Sequence, residues 1–212
     1  RSIRKWCWMT ATVKRALRQF LFALLAGALA ACAQREPPFL LKNITGLMPP
    51  LQFALTDQDG RVVSAQTLRG RVALLYFGYT QCPDVCPTTL ANLSRAIRML
   101  GSESGKVRVL FVSVDPARDT QAVLKQYVAN FGPEFVGLRG DDTALNALTR
   151  RYRIAYYREK PDAHGYYSVD HSSAVFVFDQ RGHPRLLAEE RTDAAAIAKD
   201  IRRLLEADAE ST

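Results

Sequence analysis

From residue 51 onward the chain alternates between short apolar runs and longer stretches whose apolar residues recur every three or four positions. These are the patterns of strands and of helices with one buried face. Residues 51–56 alternate apolar and polar, and Asp57-Gln58-Asp59-Gly60 predicts a turn back. VALLYF over 72–77 is apolar without a break, which predicts a strand covered on both faces. After YTQCPDVCPTTL a helix is predicted to run to about Leu100, with Leu90, Leu93, Ile97 and Leu100 on one face. VRVLFVSV over 107–114 predicts another interior strand. Helices are predicted over 119–131, carrying Val123, Leu124, Tyr127 and Val128, and over 141–152, with Asp141 or Asp142 as N-cap. A short strand over 135–138 separates them. Segments 154–158 and 166–169 flank a polar turn containing His164, and 174–178 and 185–189 form a hairpin through DQRGHP. A last helix over 193–205 places Ile197, Ile201, Leu204 and Leu205 at helical spacing. Strand–helix–strand units followed by a hairpin and a closing helix predict an α/β fold: a central mixed β-sheet flanked by helices on both faces.

The first 50 residues follow a different rule. Lys14, Arg15 and Arg18 precede a 12-residue apolar stretch over 20–31 that ends in small residues, the order found in a secretory signal. Twelve residues are too few to span a bilayer, which takes roughly 20. Leu29-Ala30-Ala31-Cys32 closes the stretch and resembles the lipobox of bacterial lipoproteins. In such proteins the cysteine is lipidated and becomes the first mature residue. The expected organisation is an upstream extension and signal over 1–31, lipidation at Cys32, and a proline-rich membrane tether over 32–50. A single domain over 51–207 and a short tail over 208–212 follow. The expected location is exported, lipid-anchored to a membrane and facing the periplasm.

This division changes the meaning of the charge. The chain carries 29 Lys and Arg against 21 Asp and Glu. Six of the basic residues and none of the acidic ones precede Cys32, which leaves 23 against 21 beyond it. The basic balance therefore belongs mostly to the export signal. No basic stripe interleaved with aromatics appears in the rest, so nucleic acid is not an expected partner.

With Cys7 upstream and Cys32 in the lipobox, only Cys82 and Cys86 of the four cysteines remain for the domain. One pair is no disulfide framework. Outside the cytoplasm it is able to oxidise. Pro83 and Pro87 are compatible with a helix that begins at or just after Cys82. On a helix, residues four apart share a face about 6 Å apart, inside the disulfide range of about 4.4–6.8 Å. The same spacing lets two sulfurs converge on one ion. A helix N-terminus is expected to favour thiolate over thiol, and thiolate is both the nucleophile and the metal ligand. Spacing alone thus leaves a redox pair and a metal site open. A structural disulfide is the weakest reading, because so small a loop restricts the unfolded chain little.

Two thiolates suit a soft ion, and an imidazole would complete a copper site or contribute to a zinc site. His164 and His183 lie in polar turns and are expected to be exposed loop residues. His171, in YYSVDHSSAVFVFD, stands where a polar loop meets a strongly apolar strand, and is the candidate third ligand.

A cysteine pair between the first long strand and its helix is the thioredoxin arrangement. The ordered motifs YFGYTQCPDVCPTTL, VRVLFVSVDPARDT and VDHSSAVFVFD resemble those of the Sco/SenC copper-chaperone family. The resemblance runs from about residue 51 to 205. It implies a thioredoxin-like, membrane-tethered domain that binds copper, as Cu(I) or Cu(II), through Cys82, Cys86 and His171. It also implies a client, the copper centre of cytochrome c oxidase subunit II or another such centre, together with an upstream copper donor and a thiol reductant. A binding and delivery protein is expected rather than a turnover enzyme. The alternatives are a thiol-disulfide oxidoreductase using Cys82 and Cys86 as a redox pair, and a zinc-binding or structural member. Asp115 and Asp119, in DPARD, read as strand-end and helix-cap residues with no metal role.

Overall fold

The computed structural model of the chain describes residues 38–209. The expected signal segment, Cys7, Cys32 and residues 210–212 lie outside the described residues. In chain order the strands are β1 (Lys42–Asn43), β2 (Ala54–Asp57), β3 (Val62–Ser64), β4 (Val72–Gly78) and β5 (Val107–Ser113). They continue as β6 (Phe135–Arg139), β7 (Tyr156–Arg158), β8 (Val169–His171), β9 (Val175–Phe178) and β10 (Pro184–Ala188). The helices are α1 (Val85–Arg98), α2 (Gln121–Ala129), α3 (Asp142–Arg151) and α4 (Ala194–Ala209).

Among the described residues eight strands form one sheet in the order β1-β10-β9-β4-β5-β6-β2-β3, and β7 pairs only with β8. β4 runs parallel to β5, and β5 parallel to β6; every other pairing in the sheet is antiparallel. The unbroken apolar run is the centre of this sheet, and every residue of β4 is buried.

Register shows why both faces are covered. Tyr76, Phe111 and Gly137 stand opposite one another across β4, β5 and β6, so they share a face. A Cβ on Gly137 would meet Leu124 and Val128 of α2, and one on Gly78 would meet Cys86 of α1. Helices α1 and α2 therefore cover this face, and α4 packs against α1. On the other face Ala73 and Leu75 pair with Phe178 and Phe176. Those rings pack on Tyr152, just after α3, with centroids 5.7 and 5.8 Å away. The expected mixed sheet with helices on both faces is the observed architecture. Leu90, Leu93, Ile97 and Leu100 are all buried along α1, as their spacing requires.

The structure differs from the sequence reading at several ends. Residues 39–50, expected as tether, lie on the domain: β1 pairs Lys42 with Leu187, and Leu41 and Ile44 are buried. The Leu41 amide donates to Asp200 at 2.7 Å. Helix α1 starts at Val85, just after Cys82, and Cys82 and Pro83 stay in the turn ahead of it. Helix α2 is capped by Thr120, whose hydroxyl accepts from the Val123 amide at 3.3 Å, which frees Asp119 from the capping role expected of it. Val123 itself is exposed on α2. Asp141 caps α3 as expected, accepting from the Ala144 amide at 2.8 Å. Among the described residues no helix is long and apolar enough to cross a membrane.

Candidate metal centre

β4 ends at Gly78, and the chain turns through Tyr79-Thr80-Gln81 to place Cys82 ahead of α1. The Cys82 sulfur accepts the Cys86 amide at 3.4 Å. It thereby satisfies one of the N–H groups that a helix start leaves without an intrahelical partner. Asp84, the cap by position, makes no side-chain cap bond. The two cysteines thus meet through a turn and a helix start rather than along one helix face. Both are free thiols.

His171 is the last residue of β8 and lies 85 positions beyond Cys86 in the chain. Its Nε2 lies 3.2 Å from the Cys86 sulfur. The sulfurs of Cys82 and Cys86 and one nitrogen of His171 all lie within 4.8 Å of one another. On the far side of the ring Nδ1 is 3.0 Å from the Ser172 carbonyl. A carbonyl only accepts, so Nδ1 carries the proton and Nε2 presents a bare lone pair to the sulfurs. Tyr76 and Tyr79 set their rings edge-on to the imidazole, with centroids 6.1 and 6.0 Å away.

Burial governs the electrostatics. It holds His171 below the ordinary imidazole value, against the opposing pull of the Ser172 carbonyl and Asp170, so the ring is neutral and able to ligate. Burial pushes the Cys86 thiol up to about 12, although the Tyr79 amide and the Tyr76 hydroxyl favour the thiolate. The helix start was expected to lower that value. The sulfur instead lies under β4, where Gly78 and Phe111 close over it, and desolvation outweighs the helix dipole. A cation entering the site has to displace a proton from Cys86.

A second tier of residues holds these three in place, among them Asp115 and Asp119, which the sequence suggested only as strand-end and helix-cap residues. Asp119 is wholly buried and accepts from the Thr80 hydroxyl at 2.6 Å, the Thr80 amide at 3.1 Å and the Ser113 hydroxyl at 2.6 Å. It fixes the turn that delivers Cys82. Asp115, equally buried, pairs with Arg118 Nε and accepts from Arg158 at 3.1 Å and the Tyr167 hydroxyl at 2.9 Å. The only hint in the sequence was the density of charge in DPARD directly after an apolar strand.

Of the other predicted positions, His164 is exposed in the turn between β7 and β8. His183 is exposed and lies 3.5 Å from Asp179. Neither belongs to the cluster, as expected of loop histidines.

A family model described as SCO1/SenC matches residues 50–206. A SCO2-like protein of Rickettsia prowazekii is 37% identical over 131 residues, covering 61% of this chain and 64% of its own length. The mitochondrial SCO2 homolog of Bos taurus is 41% identical over 132 residues, covering 61% of this chain and 50% of its own. The chain therefore spans between half and just under two thirds of the length of these curated relatives. Among solved structures, Bradyrhizobium japonicum ScoI with copper bound superimposes with a TM-score of 0.68 at 36% identity, over 73% of this chain and 98% of its own. With most of its length matched by the family model and its fold reproduced by a relative, the chain belongs to the SCO1/SenC family.

Proposed function

We propose that this protein is an extracytoplasmic copper chaperone. It holds one copper ion between the sulfurs of Cys82 and Cys86 and Nε2 of His171, and assists assembly of the copper centre of cytochrome c oxidase. The observation that carries the reading is the convergence of those three ligand atoms within 4.8 Å. The chemistry of the set supports it. Two thiolates suit Cu(I), and a neutral imidazole also suits Cu(II). Three protein ligands leave an approach for an incoming ligand, which a closed four-ligand site lacks. A copper-bound relative of the same fold adds support. The client is the copper centre of subunit II or a centre like it, and an upstream donor and a thiol reductant load the site. Cys32 carries the lipid that tethers the domain to a membrane, facing the periplasm.

Titration of the reduced protein with Cu(II) tests the reading. One equivalent should produce a sulfur-to-copper charge-transfer band that is lost in His171→Ala. Equal binding with and without the imidazole, or retention of zinc in preference to copper, would overturn it. A second reading, a thiol-disulfide reductase acting on client cysteines, is favoured by the two free thiols standing side by side. It predicts that His171→Ala keeps full dithiol activity.

A further inference from the structure

His171 is attached to the molecule in an unusual way. Among the described residues β8 has no partner in the eight-stranded sheet; it pairs only with β7, as Tyr156 with His171 and Arg158 with Val169. A lone two-stranded ribbon is marginal in water, so its position depends on side chains that dock it. Arg118 reaches both halves of the site, as does Tyr79, whose ring meets the His171 imidazole edge-on. Arg118 donates from Nη1 to the Tyr167 carbonyl, on the ribbon side, at 2.9 Å. The same nitrogen donates to Gln81 Oε1, next to Cys82, at 3.0 Å. Its guanidinium lies 3.5 Å over the Tyr167 ring and 5.6 Å from that of Tyr79. Its Nε pairs with the buried Asp115, which itself takes the Tyr167 hydroxyl and Arg158 from the ribbon. The cysteine turn, by contrast, has an independent anchor in Asp119.

We propose that Arg118 is a positioning residue that docks the histidine ribbon onto the cysteine turn, so that its release withdraws His171 while Cys82 and Cys86 stay in place. The planar fork suits this work. It stacks on an aromatic face and donates in two directions at once, which a lysine ammonium does not reproduce. The inference rests on the proposed copper site for its metal readout, and on nothing but the fold for its other readout.

The metal-free test is amide hydrogen exchange on reduced wild type and Arg118→Lys. Amides of residues 156–171 should exchange at least tenfold faster in the variant, while those of β4 and α1 keep wild-type protection. The metal test is a double-mutant cycle with Cu(II) as probe. Arg118→Lys should weaken Cu(II) binding by about 10–100-fold, the range for residues that orient a metal ligand. It should have no further effect in the His171→Ala background. Removing Arg118 leaves Asp115 buried with less compensation. Asp115→Asn combined with Arg118→Gln avoids that charge and should show the same exchange pattern if the single variant fails to fold. Unchanged exchange in the ribbon, or additive losses of Cu(II) affinity with His171→Ala, would overturn the proposal. Faster ribbon exchange in a protein whose wild type shows no histidine-dependent copper band would instead uphold the docking role and remove the copper reading.

Discussion

Asp119 accepts the Thr80 hydroxyl at 2.6 Å and so ties the chain ahead of α2 to the turn that delivers Cys82. The two residues are 39 positions apart in the chain. Substitution of Asp119 by alanine leaves the Thr80 amide, the Thr80 hydroxyl and the Ser113 hydroxyl without this partner. The Ser113 hydroxyl is buried, and leaving such a group unpaired costs about 1–3 kcal/mol. Asp119→Ala should lower the denaturant midpoint of the reduced protein and speed the reaction of Cys82 with a thiol reagent. An unchanged midpoint would show that water replaces the carboxylate freely.

Gly78 brings the sheet backbone close to the Cys86 thiol. A Cβ there would lie 2.9 Å from the Cys86 sulfur and 2.7 Å from Phe111 Cε2. Both atoms are buried, so something must shift. Overpacking of this kind costs about 1–3 kcal/mol. Gly78→Ala should lower the melting temperature and displace Cys86 enough to weaken the copper band. Gly105, whose added Cβ would meet nothing within 4 Å, supplies the control: Gly105→Ala should leave both readings near wild type.

Metal capture should depend on pH. The Cys86 thiol, pushed up to about 12 by burial, is protonated throughout the neutral range and must give up that proton to a metal. Cu(I) affinity, measured against a chromophoric chelator, should fall about tenfold per pH unit on acidification from this proton alone. His171, held below its ordinary 6.5, adds no second slope near neutrality. The stability of the reduced apo fold has the opposite pH dependence. A thiol raised from 9.0 to about 12 by folding stabilises the fold fully below pH 9.0, and that contribution is lost as pH rises towards 12. An alkaline unfolding titration of wild type against Cys86→Ala measures the difference.

Tyr152 secures the start of the domain. Its hydroxyl accepts the Gln52 amide at 3.1 Å and donates to the Pro50 carbonyl at 3.1 Å, while its ring packs on Phe176 and Phe178. Tyr152→Phe keeps the ring and removes both bonds. A loss of about 1–2 kcal/mol is expected, with faster proteolysis ahead of residue 51. Wild-type proteolysis would place the anchor elsewhere.

The parts of this molecule that were legible in its sequence share a physical character. The interior strands announced themselves because burial on both faces demands unbroken apolar runs, as in β4 and β5. The face of α1 was legible for the same reason. The three ligand candidates were legible because cysteine and histidine are scarce in this chain, with four and three copies, and because the ordered motifs resembled a family. β1 was hidden because two residues between prolines carry no period; only Leu41 and Ile44 on either side show that the segment is buried. The helix start was legible only to within a few residues, because prolines at 83 and 87 are compatible with more than one first turn. Asp115, Arg118 and Asp119 were hidden because charged residues after a strand look like loop. Only the tertiary fold shows that the two carboxylates are wholly buried. The direction of the Cys86 shift was missed for a related reason: local helix electrostatics can be read from sequence, whereas the cover supplied by β4 and β5 cannot.

The eight-stranded sheet ends on one side with a strand of two residues and on the other with a strand of three. Its long, oily strands are all interior. A neighbouring molecule finds no extended ladder to continue, and margins this brief are a recognised guard against edge-to-edge polymerisation. Crowding many copies together therefore carries little risk of fibril growth from these borders.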